Sequence, residues 1–138
     1  MKWIMMMGVL CALWAGCENQ DGAGTRGGTL TGTAWRLTSW SASSPDPSAF
    51  TITADFSDSR ISGSAAVNAY GGAYTITSAG GFSAGALSST LMAGSEEAMR
   101  AESTYLDLLR QASAYELSSK SLTLQDGNHH TILTFQAR

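Results

Sequence analysis

The side chains able to do chemistry are few, and their spacing is poor for catalysis. His129 and His130 are the only histidines. Adjacent residues on a strand point to opposite faces, so the two are not placed to share a metal and are expected to decorate a hairpin tip. Asp55, Asp58, Glu96, Glu97 and Asp107 are scattered and read as solvated charges or helix caps rather than as a paired-carboxylate site. Serines are abundant, yet none sits in a Gly-x-Ser-x-Gly elbow, and no phosphate loop occurs. The sequence therefore points to no catalytic residues, no metal and no cofactor. Two other places remain. Glu102 interrupts the apolar face of a helical stretch, and Gly63–Tyr74 (GSAAVNAYGGAY) concentrates glycine, aromatics and an asparagine. Asn68 and Gly71-Gly72 take positive φ at little cost, which predicts a tight hairpin flanked by Tyr70 and Tyr74.

The elements that position these residues follow from periodicity. Trp35 and Leu37 alternate with Arg36 and Thr38 as in a half-buried strand. A loop with two prolines (Ser41–Pro47) follows. Phe50, Ile52, Ala54 and Phe56 then alternate with Thr51, Thr53 and Asp55, the cleanest period-two segment. A turn at 57–59 leads to a short strand at 60–64 that enters the glycine-rich stretch; Tyr74 and Ile76 lead out of it. Gly80-Gly81 marks a turn and Phe82–Leu87 a further strand. Ser95 is an N-cap, and Glu96 and Glu97 lie in the first turn, where the helix dipole favours negative charge. Ala98, Met99, Tyr105, Leu106, Leu109 and Ala112 fall on one arc of roughly 140°, giving a helix over about 96–112. Glu102 projects from the middle of that arc. Three strands close the chain, around Tyr115–Leu117, Leu122–Leu124 and Leu133–Phe135, the last two joined by a turn at Asp126-Gly127-Asn128. The expected fold is α+β but mainly β: a curved antiparallel sheet or partly open barrel packed on one α-helix.

The start of the chain has a different character. Lys2 precedes an apolar run from Trp3 to Ala15 that is short for a membrane span and reads as the core of a signal peptide. Ala15-Gly16-Cys17 resembles the end of a bacterial lipobox, although Trp14 stands where that pattern prefers leucine. The resemblance implies cleavage after residue 16 and lipidation of Cys17. Cys11 leaves with the peptide, so no intramolecular disulfide is expected. Glu18–Gly28 lacks large apolar residues and reads as a flexible tether reaching roughly 20 Å. The remaining residues, 30–138, suffice for one domain. With 14 % charged residues, 43 % apolar residues, a net charge of −3 and no basic run, the chain reads as globular, and a nucleic-acid partner is not expected.

The glycine-rich stretch resembles the signature of the META domain, the HslJ-like family of small bacterial envelope proteins. Gly63, Asn68, Tyr70, Gly72 and Tyr74 match a Gly-x-x-Gly-Cys-Asn-x-Tyr-x-Gly-x-Tyr-like run, with Val67 in the place of the cysteine. Gly32–Leu37 resembles the family's opening strand. A second run, Leu87–Leu109, matches at Thr90, Met92, Ala93, Glu102, Tyr105, Leu106 and Leu109, with Gly94 replacing another family cysteine. The joint loss of the two cysteines implies that positions 67 and 94 meet in space. The family's founding members are associated with heat shock and envelope stress. The resemblance thus implies a non-catalytic, lipid-anchored envelope protein, held to the membrane through its N-terminal lipid and acting on an envelope protein partner or by structural support. A carrier of small apolar ligands is the alternative, and a hydrolase the least supported reading. Glu102 is expected to be at least partly buried and to tie the helix to the Asn68–Gly72 stretch, with the backbone N–H groups of that stretch and the Tyr70 and Tyr74 hydroxyls as donors.

Overall fold

The computed structural model describes residues 29–138; the signal peptide, Cys17 and the tether read from the sequence lie outside them. Eight strands form one antiparallel sheet: β1 (Ala34–Trp40), β2 (Thr53–Phe56), β3 (Arg60–Ala65), β4 (Asn68–Ile76), β5 (Phe82–Ser89), β6 (Ala114–Leu117), β7 (Ser121–Gln125) and β8 (Thr131–Ala137). Their spatial order is β5-β4-β3-β2-β1-β8-β7-β6. Neighbours in the chain are neighbours in the sheet within β1–β5 and within β6–β8; β8 returns to pair with β1 and joins the five-stranded half to the three-stranded one, leaving β5 and β6 as the outer strands. The sheet curls until its outer strands meet at one end, where Gly81 bridges Ala114.

Among the described residues the one α-helix, α1 (Glu96–Gln111), lies between β5 and β6 in the chain and contacts β3, β5 and β8 across the concave side. Ser95 caps it by accepting the Ala98 N–H, and Glu96 pairs with Arg100 on its exposed side. The buried face carries Ala101, Glu102, Tyr105, Leu106 and Leu109; Ala98 and Met99, at the first turn of the sequence-read arc, are only half-buried. Tyr105 and Leu109 are fully buried against a core that includes Leu37, Ile52, Ile61, Leu122, Leu133 and Phe135. Each such large apolar side chain contributes on the order of 1.5–3 kcal/mol of burial free energy, so helix and sheet hold each other in place. The aromatic part of this core is ordered edge to face: Tyr105 meets Tyr70 at 5.4 Å and Phe135 at 6.4 Å.

The expected α+β architecture with its single helix is the one observed, and two local readings are corrected. The turn of the β3–β4 hairpin is at Ala66-Val67, closed by the Ala65–Asn68 pair, with Ala66 at φ 77°. Gly71 and Gly72 lie inside β4 with ordinary strand conformation. They are glycines because neighbours approach closely: a Cβ on Gly72 would stand 2.5 Å from the Ala86 carbonyl oxygen. Thr53, read as an outward residue, is buried, because its Oγ1 accepts the Ser64 N–H and its carbonyl serves the core.

Candidate functional site

Asn68 opens β4 immediately after the hairpin turn, which places its side chain and its own N–H beneath the loop that joins β5 to α1. Glu102 reaches it from the second turn of α1. The Asn68 N–H donates to Glu102 Oε1 at 2.7 Å, and Asn68 Nδ2 donates to Oε2 at 2.9 Å. The other face of the amide holds the loop: Nδ2 donates to the Met92 carbonyl at 3.1 Å, and Oδ1 accepts the Met92 N–H at 2.7 Å and the Thr90 hydroxyl at 2.8 Å. Thr90 Oγ1 in turn accepts the Ala69 N–H at 3.2 Å. One asparagine thus fixes the hairpin, the loop and the helix together. Asn68 is 2 % and Glu102 6 % exposed, and a buried network of this kind stabilises only if every member is satisfied. Here every polar side-chain atom has its partner.

The structure brings Asn68, Thr90 and Glu102 into one node, but not the two signature tyrosines. The Tyr70 hydroxyl donates to the Thr53 carbonyl at 2.7 Å, which obliges Tyr105 to donate to Tyr70 across 2.6 Å. Burial pushes both hydroxyls well above the usual tyrosine range. This is a second tie between helix and sheet, separate from Glu102. Tyr74 is further along β4, where its hydroxyl donates to the Ser57 carbonyl at 2.6 Å and its ring packs with Phe56 and Phe82. The expectation that these hydroxyls serve Glu102 is therefore corrected: they point along the same face of β4, but each is taken by a backbone carbonyl, Thr53 in β2 and Ser57 just after it. Gly63 packs on Thr53 and Gly72 on Ala86 and Leu87. Sequence reasoning missed Thr53 and the Met92 backbone. A threonine in an alternating strand gives no hint of burial, and a backbone acceptor leaves no trace in residue type.

The remaining carboxylates and the histidines are peripheral to this node. His129 and His130 lie at the β7–β8 turn, His129 with φ 62°. Asp126 accepts the His130 and Asn128 N–H groups, and these hold its carboxyl below the usual range. Asp55 pairs with Arg138 and Asp107 with Arg110. Among the described residues no three His, Cys, Asp or Glu side chains cluster as metal ligands do.

Positions 67 and 94 are in contact. A Cβ built on Gly94 lies 3.4 Å from the Val67 Cβ and only 2.6 Å from its Cγ2. The first separation is close to that of a disulfide, which needs about 3.5–4.5 Å. We expect Gly94→Cys alone to destabilise the domain by crowding Val67. The Val67→Cys, Gly94→Cys pair relieves that contact and should oxidise to a bridge worth about 3 kcal/mol. Peptide mapping of the crosslink, with melting under oxidising and reducing conditions, checks this. A double variant that folds but keeps both thiols free would be the contrary result.

A family model described as the META domain matches residues 28–138. No curated protein matches the chain. Among solved structures, the chain is similar to a protein from Burkholderia xenovorans determined by NMR. The TM-score is 0.66 and the identity 26 %, over 79 % of this chain and 83 % of that one. A second NMR structure matches at TM-score 0.58 and 22 % identity, over 78 % and 90 %. A crystal structure of a DUF4847 family protein from Bacteroides vulgatus matches at TM-score 0.59 and 14 % identity, over 78 % and 93 %. The last two likenesses concern the fold alone.

Proposed function

The chain belongs to the META domain family, and from that premise we propose that it is a non-catalytic, lipid-anchored protein of the bacterial cell envelope. Its role is stress response or envelope integrity, exercised through binding or structural support. One observation carries the non-catalytic part. The buried polar pair of the node, Asn68 and Glu102, spends its hydrogen-bonding capacity on itself, on the exposed Thr90 hydroxyl and on the backbone of the Met92 loop. A catalytic acid or base must reach a substrate proton; the Glu102 carboxylate faces Asn68 instead, under the loop.

The same packing weighs against the carrier reading. A lipocalin-like carrier needs an empty apolar interior. In this sheet the concave side is filled by Tyr70, Tyr105, Leu109 and Phe135. The roomier clefts lie outside, such as one of about 380 Å³ beside Trp35, Leu117 and Arg138.

The anchor rests on Ala15-Gly16-Cys17 behind a short apolar run, ahead of a tether long enough to clear the headgroups. A cysteine carrying several acyl chains would hold the domain stably at the membrane, since a single chain gives marginal binding. In a bacterial host the Cys17→Ser variant should accumulate as the unprocessed precursor, and the mature wild-type protein should carry the added mass of lipid on residue 17. Normal processing of the variant, or a mature form without lipid, would refute the anchor. Envelope cross-linking followed by identification of the captured proteins tests the binding role.

A further inference from the structure

The outer edge of β5 is open along most of its length. Only its start is covered: Phe82 donates its N–H to the Ser113 carbonyl, and Tyr115 donates to Gly80, which ties β5 to the strand across the gap. From Gly85 onward the strand has neighbours on one side. Ser88 lies opposite Gly71 and Ser89 opposite Tyr70, so their side chains point to opposite faces, yet both residues are exposed. The end of the strand, at Ser88 and Ser89, is therefore exposed on both faces and at its rim, while Leu87 still packs on the core. Thr90 donates its N–H to Ala69 on β4, and strand alternation turns the Ser89 N–H away from β4 towards solvent.

Natural sheets protect such edges with charge, proline or short length. The other outer strand, β6, has four residues and carries Glu116. By contrast, Phe82–Gly94 contains no charged residue and no proline, and its one protecting irregularity is the register shift between the Tyr74–Ala84 and Gly72–Leu87 pairs. The edge also runs directly into the two exposed large hydrophobic residues of the described chain, Leu91 at 97 % and Met92 at 58 % exposure. They do not belong to a slack loop. Asn68 grips the Met92 N–H and carbonyl from below, so the same node that locks the helix holds Leu91 outward.

We propose that β5 is an association edge for a second copy of this chain, pairing antiparallel to β5 of its partner about a two-fold axis. The choice of occupant follows from charge and symmetry. The chain carries a net charge of −3, but none of it lies on this segment, so two copies meet here without opposing like charges. An antiparallel pair of identical strands is self-complementary, as a closed two-fold interface requires. It also directs the end of each strand towards the covered beginning of the other, so that Leu91 and Met92 of each copy are brought up to the Ser113–Tyr115 segment of the partner copy. The result is a continuous sheet across two domains, with no free rim at the dimer centre.

Sedimentation velocity of the purified protein over a wide concentration range tests this, together with amide exchange at Ser89. The expected result is a concentration-dependent dimer in which the Ser89 amide is protected. Ser89→Pro removes an outward N–H, and Leu91→Lys changes an almost fully exposed residue; each should weaken dimerisation about tenfold or more while the melting temperature of the monomer holds. A monomer at every concentration overturns the proposal. So does a dimer that Ser89→Pro leaves intact, and so does one whose Ser89 amide exchanges as fast as in the monomer. That exchange measurement needs no variant, so the proposal stays open to refutation even if Ser89→Pro fails to fold.

Discussion

Replacing Glu102 with alanine should lower the melting temperature of the domain by roughly 10–20 °C, the equivalent of about 2–4 kcal/mol. The loss has two sources. The backbone N–H of Asn68 is buried and has Glu102 Oε1 as its acceptor, so truncation orphans it. The vacated volume beneath the Met92 loop adds a cavity cost, reduced if water enters. Asn68 Nδ2 suffers less, since it keeps the Met92 carbonyl. Glu102→Gln should fall between wild type and alanine, but it is not innocuous. Both Glu102 oxygens accept from nitrogen donors, and glutamine offers one acceptor and one further donor. Turning Asn68 to suit it would forfeit the Met92 N–H and Thr90 contacts on Oδ1. Thermal melts of the two variants order the costs, and equal stability of all three proteins would show that the node is not what holds helix and hairpin together. Loosening the node should also release the Met92 loop, visible as faster exchange at the Met92 amide.

How much of this was legible in the sequence depends on the type of interaction. The strands and the helix were, because burial on one face writes period two or 3.6 into the residues; Phe50–Phe56 and Ser95–Ala112 show it plainly. The conflict at Glu102 was legible for the same reason: a carboxylate within an apolar arc must find partners. Its partner was legible only in outline. Asn68 lies near the hairpin turn, but which donors reach Glu102 depends on the direction of β4, which sends Tyr70 and Tyr74 along the same face to Thr53 and Ser57. The position of the turn was misread because glycine pairs are usually turn formers. Here Ala66 takes the positive φ, and Gly71-Gly72 are reserved for close packing across the sheet. Glycine marks either a backbone conformation or a missing Cβ, and a single sequence does not say which.

That distinction separates two alanine substitutions that look alike on paper. We expect Gly63→Ala to destabilise the domain by about 3 kcal/mol or more, and Gly71→Ala by less than about 1 kcal/mol. A Cβ on Gly71 would stand 2.7 Å from an Arg60 guanidinium nitrogen, but that nitrogen ends a long, exposed side chain that can swing into water. Its nearest backbone neighbour, the Ile61 carbonyl oxygen, is 3.4 Å away. On Gly63 the intruding Cβ would meet the Thr53 carbonyl oxygen at 2.3 Å and its carbon at 2.8 Å. Neither can rotate away, since Thr53 is held in β2 between β1 and β3. The carbonyl in question is also the acceptor of the Tyr70 hydroxyl, which receives Tyr105 from α1. Pushing Thr53 aside therefore strains the second tie between helix and sheet along with the local strand pairing. Tyr105→Phe provides the control, because it deletes the hydroxyl while leaving the ring in place. If the Gly63 substitution acts partly through this tie, combining it with Tyr105→Phe should cost less than the sum of the two alone. Strict additivity in that cycle would confine the role of Gly63 to its own strand pair, and a Gly63→Ala protein as stable as wild type would remove it altogether.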